Sequence, residues 1–274
     1  MSSTFEIVIK PRKGLQPFDL DEVYRFRELL AFLAWRDIKI RYRQTVLGVV
    51  WAFLQPFVAM LIFTVIFNRM AAVHSDGPPY PLFVYAGLVP WTFFANSVTQ
   101  SSNSLVGNQQ LVSKVYFPRM FIPLASIGAL FLDLLLGLVL VAVLMLYYHQ
   151  RLSSQLIWLP LFIFGSFLAA SGVGLALSAL NVLFRDVKYI VPYCIQMGLF
   201  VTPVIYPLHY LPLRWQILIG LNPMAGMVLG FRYALLGSRL PWSLASISFG
   251  VSVGLFITGL LIFRRIERFF ADVI

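Results

Sequence analysis

The sequence predicts an all-α membrane protein with six transmembrane helices, an N-terminal interfacial helix and re-entrant helices between spans five and six. Of its 274 residues, 59% are hydrophobic and 12% are charged, whereas about 25% of the residues in a typical soluble domain are charged. A soluble globule could not bury so much apolar surface, so lipid must solvate part of it. Six stretches are apolar over about the 20 residues that a membrane-crossing helix needs.

The six predicted spans divide the chain into three regions. Residues 1–46 form an N-terminal cytoplasmic segment, residues 47–264 a transmembrane domain and residues 265–274 a C-terminal cytoplasmic tail. The fourth span carries glycines that permit close packing of helices, and the fifth is short and contains two prolines. The spans are predicted at residues 47–67, 81–98, 120–148, 156–180, 189–206 and 244–263.

The lysines and arginines are distributed unequally between the two sides of these spans. Sixteen of the 21 fall on the side of the termini and five on the other, so the positive-inside rule predicts cytoplasmic termini. No signal peptide is expected, because the stretch before Gly14 has no apolar h-region. Topology thus accounts for the net charge of +10, and a nucleic-acid partner is not predicted. The three histidines are isolated and Cys194 is the single cysteine, so neither a metal site nor an internal disulfide is expected.

The segment at residues 19–34 is predicted to form an amphipathic helix. Asp19 can cap it, with Glu22 three residues later in a capping-box arrangement. A helix held in the headgroup plane by one apolar face suits the helical spacing of its apolar residues, which are Leu20, Val23, Phe26, Leu30 and Leu33. A small cytoplasmic helix packed on a neighbouring helix would show the same pattern, so both placements stay open.

Four cations lie directly before the first span, namely Arg36, Lys39, Arg41 and Arg43. Cations at such a position can anchor a protein at an anionic leaflet, where each contributes about 1 kcal/mol. The same charges can also form an entrance that gathers an anionic substrate. Their position in the sequence is compatible with either interpretation.

Two segments outside the predicted spans have unusual compositions. The loop at residues 103–119 is too polar to face lipid, yet it contains leucines and valines that need a partner surface, and a short helix here would be available to a soluble protein. The stretch at residues 207–242 is as apolar as the spans but is interrupted by prolines and glycines. Broken helices that dip into the membrane fit this composition, provided that protein or water covers their open backbone groups.

Five stretches of the sequence, in order, resemble the polysaccharide-export permeases, a branch of the ABC-2 transporter family that moves lipid-linked O-antigen, capsule or teichoic acid. The resemblance covers about residues 30–265. The stretches are RDIKIRYRQTVLGVVW at residues 36–51, KVYFPRMFIP at 114–123, LNVLFRDV at 180–187, TPVIYP at 202–207, and LNPM at 221–224 followed by Phe231 and Arg232.

The resemblance implies a permease subunit in the inner (cytoplasmic) membrane, paired with a second copy of itself and with two copies of a separate ATPase. A continuous channel would run between the two permease subunits. The sequence contains no G-x-x-x-x-G-K-[ST] loop, so this chain is not expected to hydrolyse ATP by that route. We therefore expect no cofactor in this chain, with ATP and Mg²⁺ bound by the partner ATPase.

The resemblance also implies two contacts with the ATPase and a pair of re-entrant helices at residues 207–236 near the channel exit. The coupling helix would lie in residues 103–114, with residues 115–119 shaping the return into span three. A smaller contact would form around Arg185 and Asp186. The predicted coupling residues in the first loop are Gln109, Lys114, Val115, Tyr116, Phe117 and Pro118.

A sugar polymer is best guided by aromatic faces and neutral hydrogen-bonding groups. Spans one and two supply both, and the predicted channel-lining residues are Trp51, Gln55, Trp91, Phe94, Asn96 and Thr99. The alternative is that most of these side chains pack internally or form an interfacial aromatic belt. Tyr42, with Arg36, Lys39, Arg41 and Arg43, is the predicted cytoplasmic gate, where the lipid pyrophosphate could be recognised by charge.

Two charged residues within apolar segments have open roles. An unpaired, charged Asp133 at the middle of the membrane would raise the free energy of insertion by roughly 2.5–3.5 kcal/mol. It has no basic partner in span three, and a structural role between helices is favoured over a proton relay. Arg232 can either contact an emerging phosphate or snorkel from a re-entrant helix.

Other functional classes fit less well. A membrane-embedded transferase would need converging histidines or acids, and these are scattered. A secondary transporter would show internal repeats and several intramembrane charges, whereas only Asp133 is present. An ABC-2 exporter of a lipid, a drug or teichoic acid would share the same architecture and stays an alternative.

Overall fold

The computed structural model describes residues 24–43, 48–75, 77–114 and 117–270. Within these ranges the chain is α-helical, with short 3₁₀ turns and one π-helical segment. The helices are α1 (Arg27–Arg43), α2 (Gly48–Phe63), α3 (Tyr80–Gly107), α4 (Gln109–Lys114), α5 (Phe121–Tyr147), α6 (Leu159–Leu183), α7 (Val187–Val201), α8 (Leu213–Gly220), α9 (Pro223–Leu236) and α10 (Trp242–Ile266).

Five helical segments are long and apolar enough to cross a membrane, which confirms an all-α multi-pass membrane fold. They include α2 with its π-helical extension Thr64–Met70, then α3, α5, α6 and α10. The second span was predicted to end at residue 98, but α3 continues to Gly107. The continuation is possible because its serines lie buried against other helices instead of facing lipid.

The predicted fifth span is shorter than expected. Helix α7 has 15 residues and is therefore about 22 Å long, less than the roughly 30 Å of a hydrocarbon core. It ends at Val201, so the TPVIYP stretch that we assigned to this span leaves the helix. By length and composition the described chain has five spans, or six if α8 and α9 together form one broken span.

Helices α8 and α9 form a bent apolar pair with an angle of 103° between them. The Asn222 side chain at the break accepts a hydrogen bond from the Met224 backbone N–H and donates to Thr202 at 2.8 Å. The Ser248 hydroxyl of α10 donates to the Gly220 carbonyl and accepts from the Gly226 N–H. Polar groups freed by the break thus find partners inside the protein, which is the condition for a broken helix to lie at membrane depth.

Helix α3 is the central helix, and α2, α5, α6, α7 and α9 all contact it. Helices α6 and α10 approach backbone to backbone where Gly172 meets Gly259, because a Cβ on Gly259 would overlap the Gly172 carbonyl. Close approach of this kind is common where helices pack in membranes. A separate buried cluster joins the first half of α1 to the start of α5 and to the ends of α3, α6 and α10.

Helix α1 ends later than the predicted helix at residues 19–34, because it continues to Arg43. Leu33 is buried and Phe26 and Leu30 pack beside it, which confirms that this part of the stripe faces one surface. That surface is the cluster at the ends of the spans, as in the packed alternative. Trp35 lies on the opposite, exposed face of α1. Asp19, Leu20, Glu22 and Val23 lie outside the described residues.

Candidate functional site

Three charged or polar groups from two helices meet beside a cavity. Asp133, in the middle of α5, forms an ion pair with Arg41 of α1, with an Nη2–Oδ2 distance of 2.7 Å. The Tyr42 hydroxyl donates a hydrogen bond to the other carboxylate oxygen. The basic partner that span three lacks therefore comes from α1, and Asp133 links α1 to α5.

The surroundings of this cluster keep the tyrosine in its neutral form. Burial, followed by the hydrogen bond to Asp133, raises the pKa of the Tyr42 hydroxyl. A neutral phenol donates a hydrogen bond to the carboxylate, whereas a phenolate would repel it. Tyr42 is thus a donor that stays with Asp133 at any physiological pH.

Other residues of the predicted gate lie along the same helix. Arg36 pairs with its neighbour Asp37 at 2.8 Å, and the Ser126 hydroxyl of α5 donates to the second Asp37 oxygen. Lys39 and Arg43 are exposed. Asp37 of α1 and Asp133 of α5 therefore each connect the two helices, while Lys39 and Arg43 of the predicted gate lie on the exposed surface of α1.

The cavity beside Asp133 has a volume of about 330 Å³, at the lower end of the roughly 300–1,000 Å³ typical of small-molecule sites. Three of the predicted channel-lining residues, Trp51, Gln55 and Asn96, contribute to its wall together with Arg41 and Asp133. Trp51 is 57% exposed. An exposed indole next to amide and carboxylate groups suits the apolar face and the hydroxyls of a sugar.

The other predicted channel-lining residues lie elsewhere. Trp91 is 6% exposed and packs against Phe94, with ring centroids 5.8 Å apart, and against Gly198 of α7. The Thr99 hydroxyl donates to the Ala95 carbonyl of its own helix. Within the described chain, Trp91 therefore belongs to the packing between α3 and α7.

A second cavity brings together the two predicted contacts with an ATPase. Helix α4 exposes Gln109 and Lys114 and buries Val112. A groove of about 610 Å³ is lined by Gln109 on one side and by Arg185 and Lys188 on the other. Residues separated widely in sequence thus share one surface with two cations.

One residue that the resemblance did not single out holds this groove together. The Asn181 amide donates to the Ser102 carbonyl at 2.8 Å and to Asn103 at 3.2 Å, which ties the end of α6 to the end of α3. Asn181 lies within the LNVLFRDV stretch, so the motif included this residue but did not predict its contact with α3.

The remaining predicted coupling residues differ in their exposure. Phe117 and Pro118 are buried, and Phe117 belongs to the cluster that joins the ends of the spans. Asp186 is exposed, whereas Val115 and Tyr116 lie outside the described residues. Phe117 therefore supports the loop from inside and does not present its ring to a partner.

Arg232 is buried, which decides against one of the two roles suggested by the sequence. It is 1% exposed, so it does not snorkel to the interface. Its guanidinium donates to the carbonyls of Phe83 at 3.0 Å, Pro203 at 2.7 Å and Val204, and it stacks on the Phe83 ring at 3.5 Å. Arg232 thus fastens α9 to α3 and to the segment after α7.

Comparison with known proteins shows which family has this sequence. The family of ABC-2 type transporters matches residues 28–236. An O-antigen export system permease protein RfbA of Klebsiella pneumoniae is 31% identical over 248 residues, covering 90% of this chain and 95% of that protein. The RfbA protein of Myxococcus xanthus is 30% identical over 222 residues, covering 80% and 85%. The polysialic acid transport protein KpsM of Escherichia coli is 26% identical over 202 residues, covering 70% and 75%.

Proposed function

Because the chain belongs to the ABC-2 transporter family, we propose that it is the permease subunit of an ATP-driven exporter of lipid-linked polysaccharide. The observation that carries this proposal is the similarity to O-antigen export permeases over 90% of the chain. The more distant similarity to a polysialic acid transport protein points to the same substrate class. The multi-pass membrane fold supports a permease, acting in the inner membrane with both termini in the cytoplasm.

The energy for export comes, in this proposal, from a separate ATPase that binds ATP and Mg²⁺. The chain itself binds no cofactor. The groove between α4 and the α6–α7 turn is the docking surface, because it joins the loop after the second span to the loop after the fourth. Arg185 and Lys188 in its wall favour an acidic element on the ATPase. A movement of that element would reach α3 and α6 directly through Asn181.

The substrate enters, in this proposal, beside Arg41, Tyr42 and Asp133. Arg41 is the charge that meets the lipid pyrophosphate, and its side chain is 30% exposed whereas that of Asp133 is 12% exposed. Tyr42 can keep Asp133 hydrogen-bonded while Arg41 turns to the phosphate. The sugar chain then follows Trp51 and Gln55, which lie on the exposed side of α2 and would line a path between two copies of the subunit.

The test is co-expression with a candidate ATPase, followed by purification and a measurement of polysaccharide at the cell surface. We expect Arg185→Glu with Lys188→Glu to abolish co-purification and export. Arg214→Glu is the matched control, since Arg214 is an exposed cation outside the groove. Phe117 is left unchanged because it is buried, and an acid there would disturb the fold.

Two outcomes would contradict the proposal. A chain that supports export without any ATPase would remove the ABC mechanism. A groove variant that binds and exports like the wild type would remove the docking surface. Loss of binding in the Arg214→Glu control as well would show a general effect of charge and not a specific contact.

A further inference from the structure

A third cavity lies at the end of the molecule opposite to the ATPase groove. It has a volume of about 740 Å³ and lies between the turn after α7, helices α8 and α9, and the segment before α10. Its wall contains three basic side chains, His209, Arg232 and Arg239. Among the lining residues that the structure describes there is no aspartate or glutamate, so the cavity favours an anion.

The positive charge in this cavity is partly fixed and partly adjustable. Arg232 is held rigidly by three backbone carbonyls, and because these acceptors are neutral they do not cancel its formal charge. Arg239 is exposed and can turn toward a ligand, and the exposed His209 ring lies beside the Tyr210 ring, with their centroids 4.4 Å apart. A rigid buried guanidinium with an exposed guanidinium and an imidazole beside it is an arrangement that suits phosphate, which accepts several charge-assisted hydrogen bonds.

A hydroxyl group in the same wall adds a neutral donor. The Ser238 oxygen is shielded from solvent and has no hydrogen-bond partner among the residues that the structure describes. Buried hydroxyls are normally hydrogen-bonded, so a ligand that reaches the inner wall would supply a missing acceptor. Gln216 also lines the cavity, and its amide already donates to the Leu211 carbonyl.

The surroundings of the cavity are typical of a membrane interface. Helix α8, which supplies Gln216, exposes Leu213, Trp215, Ile217 and Leu218 on its surface. An aromatic group formed by Trp158, Trp242 and Tyr233 has ring centroids 5.1 and 5.5 Å apart. Exposed apolar side chains and clustered aromatics mark the depth of lipid headgroups. The cations of the cavity therefore lie near lipid phosphates, beside a surface that hydrocarbon chains can cover.

We propose that this cavity binds the phosphate of a membrane lipid whose hydrocarbon chain lies against α8. The ligand class is a phosphate-bearing amphiphile, from one of two sources: bulk phospholipid, or the lipid pyrophosphate that carries the polymer. Only the second source rests on the proposed function. The site lies beside the bent pair α8–α9, so a bound lipid would contact the segment that the family resemblance assigns to the channel exit.

The experiment is native mass spectrometry of the detergent-solubilised full chain, titrated separately with phosphatidylglycerol, geranylgeranyl pyrophosphate and diacylglycerol. We expect binding of at least one phosphate-bearing probe, and about fivefold weaker binding of that probe by His209→Gln with Arg239→Gln, since the cation lost with Arg239 contributes about 1 kcal/mol near a lipid surface. Diacylglycerol, which lacks phosphate, should be unaffected. Arg214→Gln, which removes an exposed cation of α8 outside the cavity wall, is the matched control.

The probes also distinguish the two sources. If the double variant loses affinity only for geranylgeranyl pyrophosphate, the cavity is assigned to the polymer carrier. If it loses affinity only for phosphatidylglycerol, the cavity is assigned to bulk lipid. The proposal would be overturned if neither phosphate-bearing probe bound, or if the double variant bound the probe as tightly as the wild type. An equal loss of affinity in Arg214→Gln would also overturn it. The assay needs neither an ATPase nor export, so its failure is distinct from a failure of the proposed function.

Discussion

Two regions of this membrane domain each place an arginine next to a cavity, but the two arginines have different kinds of partner. Arg41 pairs with the carboxylate of Asp133, and its side chain is partly exposed. Arg232 is buried and donates to three backbone carbonyls. The first contact joins side chains of two helices, whereas the second joins a side chain to the backbone of two other segments.

This difference has consequences for function. An ion pair between partly exposed side chains can exchange one anion for another, which is what the proposed entry of the lipid pyrophosphate beside Arg41 requires. Backbone carbonyls cannot move without a change in the fold, and leaving them unpaired in the interior costs about 1–3 kcal/mol each. Arg41 therefore suits a switch and Arg232 a fixed support.

The largest expected effect is that of replacing Arg232. Arg232→Met removes the hydrogen bonds to three buried carbonyls, of which those of Pro203 and Val204 lie outside the helices, and we expect a loss of about 3–5 kcal/mol in stability. Arg232→Lys should restore little of this, because an ammonium lacks the planar fork that reaches three acceptors at once. Thermal unfolding in detergent measures both, with the exposed Arg239→Gln as control. A melting temperature equal to that of the wild type would contradict the role of Arg232 as a support.

A smaller loss of stability is expected from a substitution at Gly87, the glycine that packs against the Arg232 guanidinium. A Cβ on Gly87 would lie 2.7 Å from Nη2 of Arg232, so we expect Gly87→Ala to cost about 1–3 kcal/mol by overpacking. Gly250→Ala in α10 meets nothing within 4 Å and should be neutral or slightly stabilising. Equal melting temperatures of the two variants would show that the Arg232 guanidinium can shift away from residue 87 without a loss of stability.

The contact at the α1 end should be weaker and should depend on both partners. A double-mutant cycle of Arg41→Gln and Asp133→Asn should give a coupling of about 1–2 kcal/mol in thermal or denaturant unfolding. The exposed Arg43→Gln, in place of Arg41→Gln, should show no coupling with Asp133. Additive effects of Arg41 and Asp133 would show that their ion pair contributes nothing to the link between α1 and α5.

The smallest expected effect is that of Tyr42→Phe. The variant removes one donor to Asp133 but leaves the Arg41 ion pair in place, so we expect a loss of about 0.5–1.5 kcal/mol. The same unfolding measurement in the Asp133→Asn background should show a smaller loss. A loss as large as that of Arg232→Met would place the main support of the fold at the α1 end.

The sequence predicted the helical elements better than their ends. The second span was predicted to stop at residue 98 because polar residues follow, yet α3 continues since its serines are buried between helices. Helix α7 stops before the predicted end of its span, and hydropathy did not detect this because the residues that follow are still apolar. Local composition reports whether a residue can be buried, but not whether lipid or protein buries it.

The candidate sites were predicted in parts. The resemblance singled out Tyr42, Gln109, Arg185 and Arg232, and the apolar surroundings in span three singled out Asp133. No pattern along the chain indicated which of them meet. The pairing of Arg41 with Asp133 joins residues that are far apart in sequence, through the packing of α1 along α5. Arg239, His209 and Ser238 drew no attention as a group, because isolated surface residues form a site only when the backbone brings them together.

The amino-acid sequence by itself determined the all-α membrane class and the family resemblance, because hydrophobic length, charge distribution and short motifs are local properties of the chain. Only the tertiary structure decided that Arg232 is a buried support, that Asp133 has a basic partner and that the two loops share one groove. The physical reason is that hydrogen bonds and ion pairs depend on distances between side chains of different helices. Those distances follow from how α1, α3, α5 and the bent pair pack together.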